Sequence, residues 1–330
     1  MTGHAVLLPG LAVLAVIGAV AGLTIGYVPY GLGEVLAGVL GLGDAQITAI
    51  VREIRLPRVL LGLEIGAALG LAGAAMQGLL RNPLAEPGLV GVSASAGLGA
   101  VLAFHFGVAT AVSWALPVSA MAGAGATTLL LLVIARRTRG TLTLILSGVA
   151  ISSLAVALTS LALNLAPNPY ALSEMLLWLL GSLKDRSMDH VLLILPFLIV
   201  GAGLVLLAGR GLDALTLGEE GAQTLGINLT RLRVMVIVAT ALLVGGAVAV
   251  AGSIGFIGLV VPHMLRPFVG HEPRRLLVPS ALAGAALLVM ADVVARSLPT
   301  NQEVMVGVVT ALLGAPFFLV LVLRLNGRTP

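Results

Sequence analysis

The chain has 330 residues, 59% of them hydrophobic and only 10% charged, with a formal charge of +4. Soluble domains carry about 25% charged residues, so this composition excludes a water-exposed globular enzyme and selects an all-α polytopic membrane protein. The absence of cysteine rules out disulfides, Cys-ligated zinc and thiol chemistry, and no basic patch has the interleaved aromatics of a nucleic-acid binder.

The first apolar stretch, 5–26, has neither a positively charged leader nor a cleavage site and reads as a retained helix rather than a signal peptide. Residues 27–57 read as a loop or short amphipathic element, and 59–80 as the second span. The polar segment RNPLAEPGLVGVSASAG, Arg81 to Gly97, then interrupts the apolar run. Pro83 cannot donate a backbone hydrogen bond and breaks the helix. Asn82 and Glu86 are placed to bond exposed backbone groups, and Pro87 and Gly88 restart the chain at a new angle. The small residues of GVSASAGLGA let helices approach closely in the third span, 89–108. The segment is a rigid corner, with a substrate role for Ser93 or Ser95 the lesser reading.

Further spans are expected at 112–135, 142–166, 190–209, 232–251, 254–268, 276–295 and 305–323, ten in all, or nine if the short 254–268 is re-entrant. Within 142–166 the residues are mostly small or aliphatic, with Thr143, Ser147, Ser152, Ser153, Thr159, Ser160 and Asn164 as polar exceptions. Residues 167–189 read as a loop. LTLGEEGAQTLGINLTRLR occupies 215–233: Glu219 and Glu220 suit a helix N-terminus, Gly226 can end that helix, and Ile227 leads to a second short segment, giving a compact knob. A weak echo relates 72–91 to 251–270, with Pro83 and Pro262 179 residues apart; an offset of about five spans would make it an inverted repeat of a transporter.

With the N-terminus in the cytoplasm, ten spans place Arg81, Arg136, Arg137, Arg139, Arg210, Arg231, Arg233, Arg266, Arg274, Arg275, Arg324 and Arg328 inside. Arg52, Arg55, Arg58, Lys184, Arg186 and Arg296 fall outside. The bias is positive-inside, with both termini inside and 210–231 cytoplasmic. Lys184 and Arg186 sit beside Asp185 and Asp189, whereas Arg52, Arg55, Arg58 and Arg296 have fewer local partners. Two readings of these four stay open, snorkelling to headgroups and a docking surface for an acidic partner.

Other chemistry is excluded. Lys184 is the chain's one lysine and lacks the glycine spacing of a phosphate-binding loop, and His4, His105, His190, His263 and His271 form no metal-binding pattern. Glu64 and Asp292 are ionisable groups within spans and so functional candidates, but two isolated carboxylates do not make a proton relay. Energy is expected to come from elsewhere; an ion-coupled secondary transporter is the remote alternative.

RLPRVLLGLEIGAALGLAGAAMQGLLRNPLAEPGLVGVSASAG at 55–97, LGEEGAQTLGI at 217–227, GSIGFIGLVVPHMLRPFVGHEPRRLLVPS at 252–280 and VGVVTALLGAPFFLVLVLR at 306–324 resemble the permease subunits of binding-protein-dependent ABC importers for iron-siderophores, haem and cobalamin. The resemblance implies a type II importer permease fold, one transmembrane domain over 1–330, and a homodimer in the bacterial inner membrane. It implies two cytoplasmic ATPase subunits, which bind ATP and magnesium, and one periplasmic or lipid-anchored binding protein. This chain would hold no cofactor or metal and would not itself be an enzyme.

The resemblance further implies that Leu217, Gly218, Glu219, Glu220, Gly221, Ala222, Leu225 and Gly226 meet the ATPases, and that Arg55, Arg58 and Arg296 meet acidic residues of the binding protein. The path would run between the two fifth spans, past Ser147, Ser152, Thr159 and Asn164. An iron complex, siderophore or haem, is the leading expected cargo, with cobalamin the alternative.

Overall fold

A computed structural model describes residues 2–112, 114–137, 141–300 and 302–326. Arg139 and Arg328 lie outside the described residues. In chain order the helices are α1 (Thr2–Thr24), α2 (Leu32–Leu40), α3 (Ala45–Ala49), α4 (Leu56–Leu80), α5 (Val92–His105), α6 (Val108–Ala111), α7 (Ala115–Arg137) and α8 (Thr141–Asn164). There follow α9 (Pro169–Leu179), α10 (Met188–Leu215), α11 (Gly218–Thr224), α12 (Leu229–Ala251), α13 (Ile257–Leu265), α14 (Pro273–Ser297) and α15 (Val306–Asn326). No strand occurs among the described residues.

Among the described residues, seven helical segments are long and apolar enough to cross a membrane: Val6–Thr24, Ala45–Leu80, Ala115–Ala135, Thr143–Asn164, Met188–Leu215, Leu229–Ala251 and Pro273–Ser297. Three shorter apolar ones, Val92–His105, Ile257–Val269 and Val306–Leu321, fill the remaining stretches expected from sequence. Fourteen helical residues reach about 21 Å at 1.5 Å each, short of a ~30 Å hydrocarbon core. α5 is short because the corner before it uses its residues in turns, and α13 because 252–256 is not helical.

The loop expected at 167–189 contains α9. Local chemistry explains its start: Asn168 Oδ1 accepts from Ala171 N at 2.8 Å, and Pro169 takes the first helical position.

α4 and α12 form the centre, each with 78% of its span buried, whereas α1 and α8 are peripheral at 17%. Tight backbone approach, made of small residues, holds the centre together. A Cβ on Gly66 would stand 2.3 Å from Gly284 O, and one on Gly70 2.1 Å from Ser280 O, so α4 and α14 touch main chain to main chain. The GVSASAGLGA stretch behaves as its composition implies. Cβ atoms on Gly99 and on Gly123 of α7 would each meet a carbonyl at 2.0 Å, those of Ser119 and Ser95.

The corner is built as expected, with a longer reach. Asn82 Oδ1 accepts from Leu84 N at 2.9 Å, whereas Glu86 Oε1 crosses to Phe256 N at 3.1 Å, at the start of α13. Pro87–Val90 form a single 3-10 turn closed by Gly91 in the left-handed region, and Gly88 stands in open space.

The echo between 72–91 and 251–270 is not a structural repeat over its whole length. Residues 73–77 are helical, whereas their counterparts at 252–256 are a break, because Gly252 adopts φ +72 against the Trp178 carbonyl. The closing 3-10 turns, Pro87–Val90 and Arg266–Val269, do correspond.

The segment at 210–231 also differs from expectation. α10 continues to Leu215, and the second short segment after Ile227 is the first turn of α12, because Asn228 Oδ1 accepts from Arg231 N at 2.9 Å and starts the long helix.

Candidate functional site: two charged ends of one helix bundle

The first end is where α1 stops and α4 begins. A helix leaves its last carbonyls unsatisfied and partly negative. Arg55, the last residue of a wide π-turn at Ile50–Arg55, supplies the donors: its Nη1 reaches Leu23 O at 2.6 Å and Thr24 O at 3.0 Å, and its Nη2 reaches Val28 O. Its guanidinium also lies 4.5 Å from the Tyr30 ring centroid. Arg296 Nη2 donates to Gly22 O at 3.1 Å.

Arg58 and Arg296 share one carboxylate. Arg58 Nη2 and Nε reach Asp292 Oδ1 and Oδ2 at 2.8 and 3.0 Å, and Arg296 Nε reaches Asp292 Oδ2 at 3.1 Å. Arg58 Nη2 also donates to Glu303 Oε1. The Asp292 side chain is 3% exposed and that of Glu303 25%, so the first carboxylate is enclosed and the second borders the outside.

Arg55 and Arg58 therefore have distant partners, Arg296 has a local one at i,i+4 in Asp292, and Asp292 is not isolated. Arg55, Arg58 and Arg296 are thus largely enclosed by their own chain. Tyr30 and Glu303 are the residues sequence reasoning missed at this end; the one signal was that Glu303 follows Arg296 by seven residues, just past the end of α14.

Around this end, Arg52 donates to Val39 O at 2.8 and 3.1 Å, and Lys184 stands 4.0 Å from Asp185. Arg186 lies 4.9 Å from the Trp178 ring centroid; burial pushes its pKa down, against the opposing pull of Asp185. Glu64, within α4, has a buried Oε2 with no hydrogen-bond partner among the described residues.

The second end carries α11. Glu219 and Glu220 occupy its first turn, and Gly226 ends it at φ +81. Gly226 N donates to Gln223 O at 2.9 Å and Ile227 N to Ala222 O at 3.0 Å, the paired bonds of a glycine-closed helix end. Ala222 is fully buried beneath the helix, and Glu219 is tied to Arg233 of α12 at 2.7 Å. Leu217 and Leu225 are 69% and 62% exposed, apolar side chains presented outward on either side of the short helix. Gly218 opens it at φ +92, and a Cβ on Gly221 would stand 3.0 Å from the Cβ of Leu217.

α8 offers a long exposed apolar surface that includes Leu146, Leu154, Val156 and Leu161. Ser147 Oγ donates to Thr143 O at 2.7 Å, and Ser153 and Ser160 bond their own helix in the same way. Ser152 and Thr159 are half-buried and Asn164 is exposed. No group of three or more His, Asp or Glu side chains is arranged to hold a metal ion among the described residues.

A multi-pass helical bundle with a shaped polar knob at one end and an ion-pair cluster at the other defines a membrane transport subunit. The chain matches the model of the FecCD transport family over residues 13–324, and it belongs to that family. It is 42% identical over 292 residues to the uncharacterized ABC transporter permease protein YvrB of Bacillus subtilis (strain 168), covering 87% of this chain and 82% of that one. With the Fe(3+)-citrate import system permease protein YfmE of the same strain it shares 39% identity over 312 residues, 94% and 92% of the two chains. With the vitamin B12 import system permease protein BtuC of Salmonella paratyphi A it shares 43% over 285 residues, 85% and 86%.

A solved structure described as an inward-facing conformation of a metal-chelate type ABC transporter superposes with a TM-score of 0.87 at 34% identity, covering 96% of this chain and 98% of that one. The chain is thus a non-catalytic ABC-importer permease, related to B12- and siderophore-type transporters.

Proposed function

We propose that this chain forms half of the membrane pathway of an importer for a bulky metal chelate, as a homodimer crossing the inner membrane ten times per subunit. One observation carries the reading: α4 starts beside the arginine cluster and ends beside the knob. Arg58 lies in its first turn and Arg81 caps its end, about 35 Å away at 1.5 Å per residue, and a Cβ on Gly218 would stand 3.9 Å from Arg81 Nη1. One rigid helix, long enough for a ~30 Å hydrocarbon core, would link the two sides. The arginine end faces outward, and residues 210–231 with both termini face the cytoplasm, in keeping with the arginine bias.

The exposed leucines 217 and 225 flank a short helix that would seat in a cleft of an ATPase subunit, one on each permease. The exposed face of α8 would meet its counterpart across the two-fold axis, with Ser147, Ser152, Thr159 and Asn164 along a weakly binding wall. At the outer end, Arg58 would exchange Glu303 for a carboxylate of the soluble binding protein, with Arg55 and Arg296 shaping the same site. Partial exposure of Glu303 supports that exchange, whereas Asp292 stays as the fixed counter-ion.

For cargo, cobalamin takes precedence over the iron complex that the sequence favoured. The vitamin B12 permease relative is 43% identical and the ferric citrate one 39%, a narrow margin in favour of a corrinoid. Uptake into proteoliposomes holding permease, ATPase and binding protein, with labelled cobalamin, ferric siderophore and haem, tests this. ATP-dependent entry of cobalamin is expected; entry of an iron complex alone would reverse the order, and transport driven by an ion gradient without ATPase would end the importer reading.

A further inference from the structure

A pocket of about 210 Å³ opens at the knob end, lined by Gln77, Arg81, Thr216, Arg266 and His271, with only apolar residues and a glycine besides. That is several times the ~30 Å³ share of a liquid water. No carboxylate lines it. Neither Arg81 nor Arg266 has an ion pair among the described residues, unlike Arg58, Arg233, Arg275 and Arg296.

The two arginines are set in place differently. Gln77, 1% exposed, donates to Leu259 O at 3.2 Å, and its Oε1 accepts from Arg266 Nη2 at 2.7 Å. That bond orients the guanidinium but leaves Arg266 Nε buried without a partner. Arg81 caps α4 at φ +49 and His271 stands at φ +63, left-handed positions that side chains other than glycine and asparagine seldom take. Such backbone persists where its surroundings over-determine it and tends to mark ligand sites. Three nitrogen-rich side chains from three separate chain segments thus converge on one cavity with uncompensated charge.

We propose that this pocket binds a phosphate group. Two guanidinium forks and an imidazole supply convergent donors, the geometry in which arginine takes phosphate oxygens, and a phosphate would offset the positive charge of the pair in part or in full. Basic pockets at the inner ends of membrane helices suit anionic lipid headgroups, and a soluble phosphate has the same chemistry. Because Arg81 also reaches the start of α11, a bound phosphate would brace the root of the knob. The binding claim rests on the pocket alone and stands or falls independently of cargo and of ATPase attachment.

Native mass spectrometry of the full chain released from nanodiscs separates the sources. One arm uses phosphatidylglycerol against phosphatidylcholine, and the other uses phosphatidylcholine alone with millimolar inorganic phosphate. The expected result is one retained phosphatidylglycerol, or one retained phosphate, per chain. Retention should fall at least fivefold in Arg81→Gln and persist in Arg210→Gln, an exposed arginine of the same end. Should Arg266→Gln fail to fold for want of its Gln77 bond, Arg81→Gln still decides, since its side chain holds nothing else together. Equal retention of phosphatidylcholine with no phosphate adduct, or retention unchanged in Arg81→Gln, overturns the proposal.

Discussion

Arg58 and Asp292, 234 residues apart in the chain, meet in a bidentate ion pair with N–O distances of 2.8 and 3.0 Å, and Asp292 is shared with Arg296. A buried charge is tolerated when it is paired and costly when it is not. Asp292→Asn would leave two guanidiniums facing a neutral amide. Loss of one partner from a buried pair costs about 3–5 kcal/mol, so the melting temperature in detergent should fall clearly, and by more than for Glu303→Gln. Equal melting of the two variants would show that Asp292 is not the structural anchor.

Docking is tested best by leaving that anchor intact. Glu303→Gln frees Arg58 for an external carboxylate, so the binding protein should associate more tightly, by up to about fivefold if one exposed pair of ~1 kcal/mol is gained. The association should weaken with salt. Surface plasmon resonance on nanodisc-held transporter reads both; unchanged affinity together with flat salt dependence would leave the arginines as purely structural groups.

Gly226 tests the knob. A Cβ added there would have nothing within 4 Å, so bulk is harmless, but φ +81 is not. Gly226→Val should introduce strain of about 1–3 kcal/mol confined to an exposed turn. The expected outcome is a folded permease with reduced ATPase attachment or reduced cargo-stimulated hydrolysis. Full coupled transport by the variant would remove α11 from the coupling role.

Orientation can be read because the chain has no cysteine of its own. A single cysteine at Glu220, exposed on α11, should resist membrane-impermeant thiol reagents in right-side-out vesicles and react in inverted ones. The opposite pattern would turn the whole threading over.

Packing of α4 on α14 makes a sharper stability test than any large core residue. A methyl at Gly70 would sit 2.1 Å from the Ser280 carbonyl, a backbone atom that cannot swing aside. Gly70→Ala should therefore lower the melting temperature far more than Gly125→Ala, where nothing lies within 4 Å. Similar losses at both sites would mean that the helices separate freely.

Legible in the sequence were the membrane class, the position of most of the apolar helices, the corner after α4 and the glycine-closed end of α11. These depend on local quantities: hydropathy over about 20 residues, proline's missing donor, and the left-handed turn that glycine permits. Local signals also hold the cue for α9, in Asn168 and Pro169, although the surrounding polarity suggested a loop. Only the tertiary structure decided where the charges go. Arg58 looks unpaired along the chain because Asp292 and Glu303 are more than two hundred residues away, although Asp292 and Arg296 are an i,i+4 pair the sequence does carry; Gln77, Arg81 and Arg266 become neighbours only when α4 and α13 end at the same side. Electrostatic pairing acts through space, over a few ångströms, and a linear sequence records no such distances.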